Sequence, residues 1–340
     1  MMNDEKPLNS ITAGELMEMS LTPSEQVVDG FLPNGTYILA GTPKIGKSFL
    51  MTQLCWCVAE GERFLEYDTK PATALYLALE DTNIRLQQRL GKMFGVDWPG
   101  KDMHLVFEET RQGARLVRTL QRFMADHPDT RLIVIDTLVR ARTHDNNTYS
   151  YATDYQDVLP FKEFADSHNV SLILVHHTRK NTESANPFDQ ISGTNGLLGA
   201  ADGAFILHEG KGHVFLDFVG RDLPERRYAL RFIESKCQWE LIDSDVEELE
   251  EPPEPLLDWI DALVLDFWNG TATRLLHDLK EFAPDTLDWQ PNQLTKRLNV
   301  LTARLAKEKG IRYSSTRTSD SRTLHFERLE KEEPEEELPV

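Results

Sequence analysis

One glycine-rich segment has the residue types and the spacing needed to hold a phosphate group. Residues 41–48, GTPKIGKS, fit the pattern G-x-x-x-x-G-K-[ST]. The glycines Gly41 and Gly46 permit a tight turn whose backbone N–H groups point inward. Lys47 can neutralise nucleotide phosphates, and the hydroxyl of Ser48 can ligate Mg²⁺. The alternative is a glycine turn that only begins a helix.

The surrounding sequence favours phosphate binding. The apolar run TYILA (36–40) precedes the segment and a helical pattern (47–60) follows it, which is the strand–loop–helix context that the motif requires. We therefore predict ATP and Mg²⁺ as cofactors. The predicted nucleotide-binding residues are Gly41, Thr42, Pro43, Lys44, Ile45, Gly46, Lys47, Ser48 and Phe49.

Two further apolar runs end in a carboxylate. LIVID (132–136) ends in Asp136, which we predict to hold the metal together with Ser48. LYLALE (75–80) ends in Glu80, which we predict to orient and deprotonate the attacking water. Asp136 could instead close its strand as a turn residue, and Glu80 could cap the next helix, as we expect for Asp81.

A third apolar run, LILVHH (172–177), ends in two histidines. A polar side chain at this position can sense the γ-phosphate and couple its loss to the following loop. We favour His177 as this sensor and keep His176 open. The alternative is a surface histidine that is merely hydrogen-bonded.

The elements that must position these motifs can be predicted from the hydrophobic pattern. Apolar runs predict strands at 36–40, 73–79, 131–136, 171–177, 203–207 and 213–219, and helical spacing predicts helices at 47–60, 82–94, 112–126 and 153–168. This alternation predicts an α/β fold with a mostly parallel sheet. Because ligands of such sheets bind beyond the carboxyl ends of the strands, the motifs should meet at one edge.

Composition excludes several classes of protein. The chain has 340 residues, of which 40% are apolar and 27% are charged, as expected for a globular protein. No apolar run reaches the length of a membrane span, and the N-terminus lacks a signal-peptide pattern. Its three cysteines have neither a metal spacing nor a disulfide pattern. We therefore expect a cytoplasmic protein with no membrane partner.

The net charge of −19 would argue against a nucleic-acid partner if it were spread evenly along the chain, but it is not. Acidic residues are concentrated in 241–255 and 327–340, whereas 289–326 holds eight Lys or Arg residues against two acids. The acidic, proline-containing segment 241–255 predicts a linker. We therefore predict an ATPase domain at 1–240, a small domain at 256–329 and an acidic disordered tail at 330–340.

The small domain has the pattern of a winged helix, a variant of helix-turn-helix. Helical spacing at 256–268, 271–282 and 291–309 precedes two strand-like runs at 311–316 and 322–329. The basic residues within 291–326 predict a contact with duplex DNA. The alternative is a protein-binding winged helix with a solvated basic face.

Considered together, the motifs GTPKIGKS, LYLALED, LIVIDTLVRA and LILVHHTRK resemble, in this order, those of RecA-like P-loop ATPases. The resemblance is to the RepA-type hexameric replicative helicases of plasmids and phages, and it covers about residues 10–235. It implies a homo-oligomeric ring of six subunits, ATP at the subunit interfaces and single-stranded DNA in the channel. It also implies that Glu80 is the catalytic base, Asp136 the Walker B acid and His177 the sensor.

The same resemblance implies an arginine finger, which completes the ATP site of a neighbouring subunit. Arg221, in the sequence GRD, is our candidate, and Arg227 and Arg231 are weaker ones. A surface arginine on a hairpin is the alternative for Arg221.

Two polar segments, 140–157 and 178–196, resemble the channel loops of this family by position. We predict that they contact single-stranded DNA through basic and aromatic side chains, and the alternative is loops without such a role. The residues concerned are Arg140, Arg142, Arg179, Lys180, Tyr149, Tyr151 and Tyr155.

These observations favour an ATP-dependent DNA helicase or translocase of the RepA type, acting in plasmid or phage replication. The alternative is a DNA-binding ATPase switch that regulates replication or recombination, or loads another protein, without being a motor. A kinase on the same core is a third hypothesis, but the sequence contains no acceptor-binding lid that we can identify.

Overall fold

The computed structural model describes residues 10–21, 26–109, 111–142, 151–178, 187–191, 195–210, 212–221, 223–244, 253–281, 289–317 and 322–329. These residues form a 3₁₀ helix, Pro187–Gln190, and a series of α-helices and β-strands. In chain order these are α1 (Ala13–Glu18), β1 (Gln26–Val28), β2 (Leu32–Pro33), β3 (Gly35–Gly41), α2 (Lys47–Glu60), β4 (Thr73–Ala78), α3 (Asn83–Phe94), β5 (Met103–Val106), α4 (Ala114–Asp126), β6 (Thr130–Asp136), α5 (Leu138–Ala141), α6 (Tyr151–His168), β7 (Ser171–His177), α7 (Asn195–Ala200), β8 (Gly203–Glu209), β9 (Val214–Gly220), β10 (Arg226–Ile233), β11 (Gln238–Ser244), α8 (Pro255–Leu263), β12 (Phe267–Gly270), α9 (Ala272–Leu279), α10 (Pro291–Lys309), β13 (Ile311–Arg317) and β14 (Arg322–Arg328).

The chain forms two compact units. The larger comprises residues 24–249, and the smaller comprises 1–23 together with 250–340. The domain bounds that we inferred from the sequence stay a prediction, but two features of the structure differ from them. Strand β11 continues the larger unit into the expected linker at 241–255, and α1 belongs to the smaller unit. Residues 245–252 and 330–340 lie outside the described part of the chain.

A nine-stranded sheet in the order β11-β10-β9-β8-β3-β7-β6-β4-β5 forms the centre of the larger unit. The six strands from β8 to β5 are parallel to one another, whereas β9, β10 and β11 extend the sheet beyond β8 in antiparallel fashion. This architecture confirms the prediction of an α/β fold with a mostly parallel sheet.

Helices cover both faces of this sheet, which explains why its central strands are apolar at consecutive positions. Along β3, Tyr37 and Leu39 pack in the core layer that contains α2 and α3. Ile38 and Ala40 face the opposite layer, which contains α4 and α6. Because successive side chains of a strand point to opposite faces, one short strand anchors both layers.

The smaller unit has its own core. Helices α8, α9 and α10 pack with an antiparallel sheet in the order β12-β14-β13. The helix that we predicted over 256–268 ends at Leu263, and Phe267–Gly270 is strand β12. Phe267 is exposed while Trp268 is buried, and this alternation is typical of a strand rather than of a helix.

Helix α1 contacts α10 within the same unit. The side-chain amide of Asn299 donates a hydrogen bond to the carbonyl of Met17 at 2.9 Å. The carboxylate of Glu18 lies 3.7 Å from Arg317 and from Arg322. Among the helices in the described ranges, none combines the length and the apolar character needed to cross a bilayer.

Candidate active site

The phosphate-loop segment leaves the carboxyl end of β3 and enters α2. A Cβ on Gly41 would lie 2.6 Å from the carbonyl oxygen of Leu207, which is closer than real contacts allow. Gly46 begins the helix with φ +105°, and a Cβ there would lie 2.7 Å from the indole of Trp239. Both positions therefore require glycine, as the motif predicts.

Lys47 projects back over the loop that precedes it. Its ammonium donates to the carbonyl oxygens of Gly41 at 2.8 Å and Thr42 at 3.0 Å, and lies 3.3 Å from Nδ1 of His177. Burial lowers the pKa of Lys47 to about 8, although the carboxylates of Asp136 and Glu80 partly oppose this shift. A buried ammonium on backbone carbonyls is well suited to receive an anion.

Asp136 ends β6 beside the first turn of α2. The hydroxyl of Ser48 donates to Oδ2 of Asp136 at 2.7 Å, and the hydroxyl of Tyr76 donates to the same atom at 2.9 Å. Burial raises the pKa of Asp136, and these two hydrogen bonds oppose the shift. Ser48 and Asp136 thus offer neighbouring oxygen ligands of the kind that Mg²⁺ prefers.

Glu80 follows the end of β4 at the same edge of the sheet. Its Oε1 accepts a hydrogen bond from the hydroxyl of Thr137 at 2.9 Å, and its Oε2 lies 3.9 Å from Nε2 of His177. His177 therefore lies between Lys47 and Glu80. The side chain of His176, the preceding residue of β7, points to the opposite face of the sheet and is buried.

A cleft of about 220 Å³ opens at this edge. Arg89 of α3 lines the cleft together with Ser48, Glu80 and Asp136, and sequence reasoning missed it. Its Nη2 pairs with Asp81 at 2.8 Å, while its buried Nη1 has no hydrogen-bond partner in the described part of the chain. In the sequence, Arg89 is marked only by its position nine residues after Glu80. This position does not distinguish it from neighbouring arginines.

The expected helix cap at Asp81 also differs in the structure. Thr82 is the N-cap of α3, and its side chain accepts from the backbone N–H of Arg85 at 3.3 Å. Asp81 instead forms ion pairs with Arg85 and Arg89. It therefore orients the arginine that lines the cleft.

These residues fit a nucleotide with its metal. Two glycines leave no room for a Cβ, Lys47 is a buried cation, and Arg89 has a buried donor atom to satisfy. The remaining predicted loop residues, Thr42, Pro43 and Lys44, are exposed, and Ile45 and Phe49 are partly buried. Phe49 packs against Phe232 and lies under the guanidinium of Arg89.

Arg221 is not brought to the cleft of its own chain. It follows Gly220, which pairs with Gly203 at the amino end of β8, whereas Gly41 pairs with Leu207. Four residues of strand correspond to roughly 13 Å along the sheet. The side chain of Arg221 is 57% exposed, and its guanidinium lies 3.5 Å from the carboxylate of Asp202 and donates to the carbonyl of Gly199.

The two weaker finger candidates are held by carboxylates in the described structure. Arg227 forms a bidentate pair with Asp217 at 2.7 and 2.8 Å. Arg231 pairs with Glu240 at 3.0 Å. Of the three, Arg221 is therefore the arginine with the weakest contact to a carboxylate.

The segment 140–157 is less of a loop than we expected, and one predicted DNA contact is wrong. Arg142 is buried beside Asp154 at 3.4 Å and Asp157 at 3.7 Å, so it cannot reach a DNA phosphate. From Tyr151 onward the segment is helix α6, with Tyr151 exposed and Tyr155 partly buried. Arg140 is exposed, and its contact with DNA stays a prediction.

The remaining part of these predictions lies outside the described residues. Residues 143–150, with Tyr149, and residues 179–186, with Arg179 and Lys180, belong to this part. Within 178–196 the structure describes the 3₁₀ helix Pro187–Gln190 and the start of α7.

The fold and the phosphate loop define a RecA-like P-loop ATPase. The family model AAA_25, described as an AAA domain, matches residues 3–183. Because this match covers more than half of the chain, the chain belongs to the AAA_25 family. No protein among those with curated descriptions matches the sequence.

Comparison with one solved structure agrees with this fold. One solved structure, described as an ATPase domain, has a TM-score of 0.50 and 15% identity, and the alignment covers 62% of this chain and 85% of that domain. Another, described as a DnaB-like replicative helicase and its interactions with primase, has a TM-score of 0.49 and 15% identity. That alignment covers 61% of this chain and 57% of the other.

Proposed function

We propose that the protein is an ATP-driven motor on DNA, a replicative helicase of the RepA type that acts in plasmid or phage replication. The observation that carries the proposal is the convergence of Lys47, Ser48, Glu80, Asp136 and His177 at one edge of the sheet, beside the cleft. The fold shared with a solved ATPase domain and the order of the motifs support it.

The role of each residue follows from its position in the cleft. Lys47 and the N–H groups of the loop bind the phosphates, and Ser48 and Asp136 hold Mg²⁺, which when bound offsets the phosphate charge. Glu80 accepts a proton from the attacking water, with its carboxylate oriented by Thr137. His177 contacts both the lysine and this carboxylate, so it can transmit the state of the γ-phosphate to the segment after β7.

We further propose that six copies of the chain form a ring in which Arg221 completes the site of a neighbouring subunit. Its position at the amino end of β8 supports a role on another chain, because it is remote from the cleft of its own. Single-stranded DNA would contact the segments 140–157 and 178–196, with Arg140 but not Arg142 facing the strand.

The smaller unit is, in this proposal, a winged helix that binds duplex DNA through 291–326. Its order of helix, strand, two helices and hairpin supports this assignment. Several of its basic residues pair with carboxylates, among them Arg304 with Glu308 and Arg312 with Glu327. Exposed pairs of this kind are worth at most about 1 kcal/mol, so a DNA phosphate can displace the carboxylate.

Two measurements on the full-length chain test the proposal. Strand displacement on a forked duplex, with light scattering to determine the number of subunits, should show ATP-dependent unwinding by a hexamer. Hydrolysis that DNA stimulates without unwinding would favour the ATPase switch instead. Hydrolysis that is indifferent to DNA would contradict both functions.

The duplex contact is tested separately by replacing Arg312 and Arg317 with alanine. Loss of two phosphate contacts should weaken duplex binding and reduce the slope of log affinity against log salt by about two. Basal ATP hydrolysis should not change. An unchanged salt slope would contradict the proposed DNA-binding surface.

A further inference from the structure

We propose that Trp239 is a positioning residue for the phosphate loop: its indole holds the Gly46 peptide in the orientation that nucleotide binding requires. This inference rests on the proposed nucleotide site. Trp239 lies on β11, the edge strand of the nine-stranded sheet, and is 193 residues from Gly46 in the sequence. Its side chain is nevertheless buried against the loop.

The carbonyl oxygen of Gly46 accepts hydrogen bonds from three donors. The indole Nε1 of Trp239 donates at 3.2 Å, and the backbone N–H groups of Phe49 and Leu50 donate at 3.1 Å each. The indole also covers the glycine so closely that a Cβ would clash with it. The orientation of this carbonyl is therefore fixed by α2 on one side and by β11 on the other.

Fixing this carbonyl also fixes the following N–H group. A trans peptide is planar, so the Gly46 carbonyl and the Lys47 N–H point in opposite directions. With the carbonyl held toward the helix and the indole, the Lys47 N–H is directed to the concave side of the loop. That is the side on which inward-facing N–H groups bind phosphate.

A second contact makes Trp239 a rigid support. The side-chain amide of Gln53, on α2, donates to the carbonyl of Trp239 at 2.9 Å and accepts from its N–H at 2.8 Å. These are backbone groups of an edge strand, which on this side has no further strand to pair with among the described residues. Both side chains are buried, so the indole is anchored to the helix that the phosphate loop begins.

Trp239→Phe tests the role because it keeps an aromatic ring and removes the N–H donor. Trp98→Phe is the matched control, since Trp98 also donates through Nε1 to a glycine carbonyl, that of Gly95, at 3.2 Å. ATP and ADP affinities of the full-length chain would be measured by calorimetry. Loss of one hydrogen bond should weaken both affinities by about 3- to 10-fold in the first variant. The control should bind like wild type.

Two further measurements separate positioning from general stability. KM for ATP should rise by the same factor as the dissociation constant, with kcat changed less than about twofold, since the bond acts on binding. Adding ADP should change the tryptophan emission of wild type and of Trp98→Phe, and this change should be lost in Trp239→Phe. Thermal unfolding would verify that each variant is folded.

The outcomes distinguish this inference from the proposed function. If wild type binds neither ATP nor ADP, the nucleotide site itself is wrong. If wild type binds ADP and folded Trp239→Phe binds it equally well, only the positioning role is wrong. Should Trp239→Phe fail to fold, Gln53→Ala replaces it, with an affinity loss in the same direction expected. An unchanged affinity in that variant would also overturn the role.

Discussion

Two groups of buried charges in the larger unit differ in the kind of group to which they are hydrogen-bonded. At the cleft, Lys47 bonds to backbone carbonyls and Asp136 to two hydroxyls. In the antiparallel extension, Asp217 of β9 accepts from both Arg227 of β10 and His208 of β8. In the second group a carboxylate pairs with cationic side chains, whereas in the first the two charges bond to carbonyls and hydroxyls.

The pKa directions express the same difference. Burial lowers the pKa of Lys47 to about 8 and raises that of Asp136, so the fold disfavours both charges. Burial would also raise the pKa of Asp217, but the hydrogen bonds from Arg227 and His208 outweigh it and lower the pKa to about 2. Charges that the fold buries without stabilising are typical of a ligand site, whereas stabilised charges are structural.

The largest effect is expected for Lys47→Met. This substitution removes the charge that the phosphates need and retains the apolar stem, so ATP and ADP binding and hydrolysis should fall below detection. The free energy of unfolding, from urea titration, should not decrease, because the lost charge was disfavoured by burial. Normal turnover in this variant would show that the cleft is not the nucleotide site.

Glu80→Gln should separate binding from chemistry. The amide keeps the shape of the side chain but cannot accept a proton, so kcat should fall by about 100-fold or more. ATP affinity should stay within about threefold of wild type by calorimetry. If kcat is unchanged, the catalytic base lies elsewhere.

Asp217→Asn should show the opposite pattern, with lower stability and unchanged nucleotide affinity. The lowered pKa of Asp217, about 2 against the usual 3.8, corresponds to about 2 kcal/mol of unfolding free energy at neutral pH. This contribution is present above about pH 4 and is lost as the pH falls through 2. The difference in urea midpoint between wild type and variant should therefore shrink in acid.

An equal difference in midpoint at pH 7 and at acidic pH would contradict the stabilised carboxylate. Loss of nucleotide binding in folded Asp217→Asn would erase the distinction between the two groups of charges.

The smallest effect is expected for Tyr76→Phe. The phenol donates to Asp136 within the core, and its loss leaves Ser48 as the remaining described donor to that oxygen. Loss of one hydrogen bond that orients Asp136 should reduce the free energy of metal binding by about 1 kcal/mol. This corresponds to a roughly fivefold higher Mg²⁺ concentration for half-maximal hydrolysis. Affinity for ADP without metal should be unchanged, and a weaker metal-free affinity would point to a general packing defect.

Local sequence patterns were enough to predict much of the fold and of the site. The phosphate loop lies between a strand and a helix, and the ends of β4, β6 and β7 place Glu80, Asp136 and His177 at one edge, because parallel strands share that edge. The helix predicted at 47–60 is α2, with the same bounds.

Residues that reach the site from a distance could not be predicted in this way. Trp239 contacts the loop only because the edge strand β11 packs against α2, and no local pattern encodes that pairing. Arg89 and Arg142 looked alike as polar residues of helices or loops, yet one lines the cleft and the other is buried on two carboxylates. Which partner a charge finds depends on tertiary contacts.

Lys47 and Asp136, the buried charges at the cleft, are proposed to bind a nucleotide and its Mg²⁺. Titration of the wild-type chain with ATP in a calorimeter, with Mg²⁺ and then with a chelator, tests this proposal most directly. One ATP should bind per chain, and binding should weaken when the metal is removed. Absence of ATP binding by folded protein in the presence of Mg²⁺ would contradict the proposal.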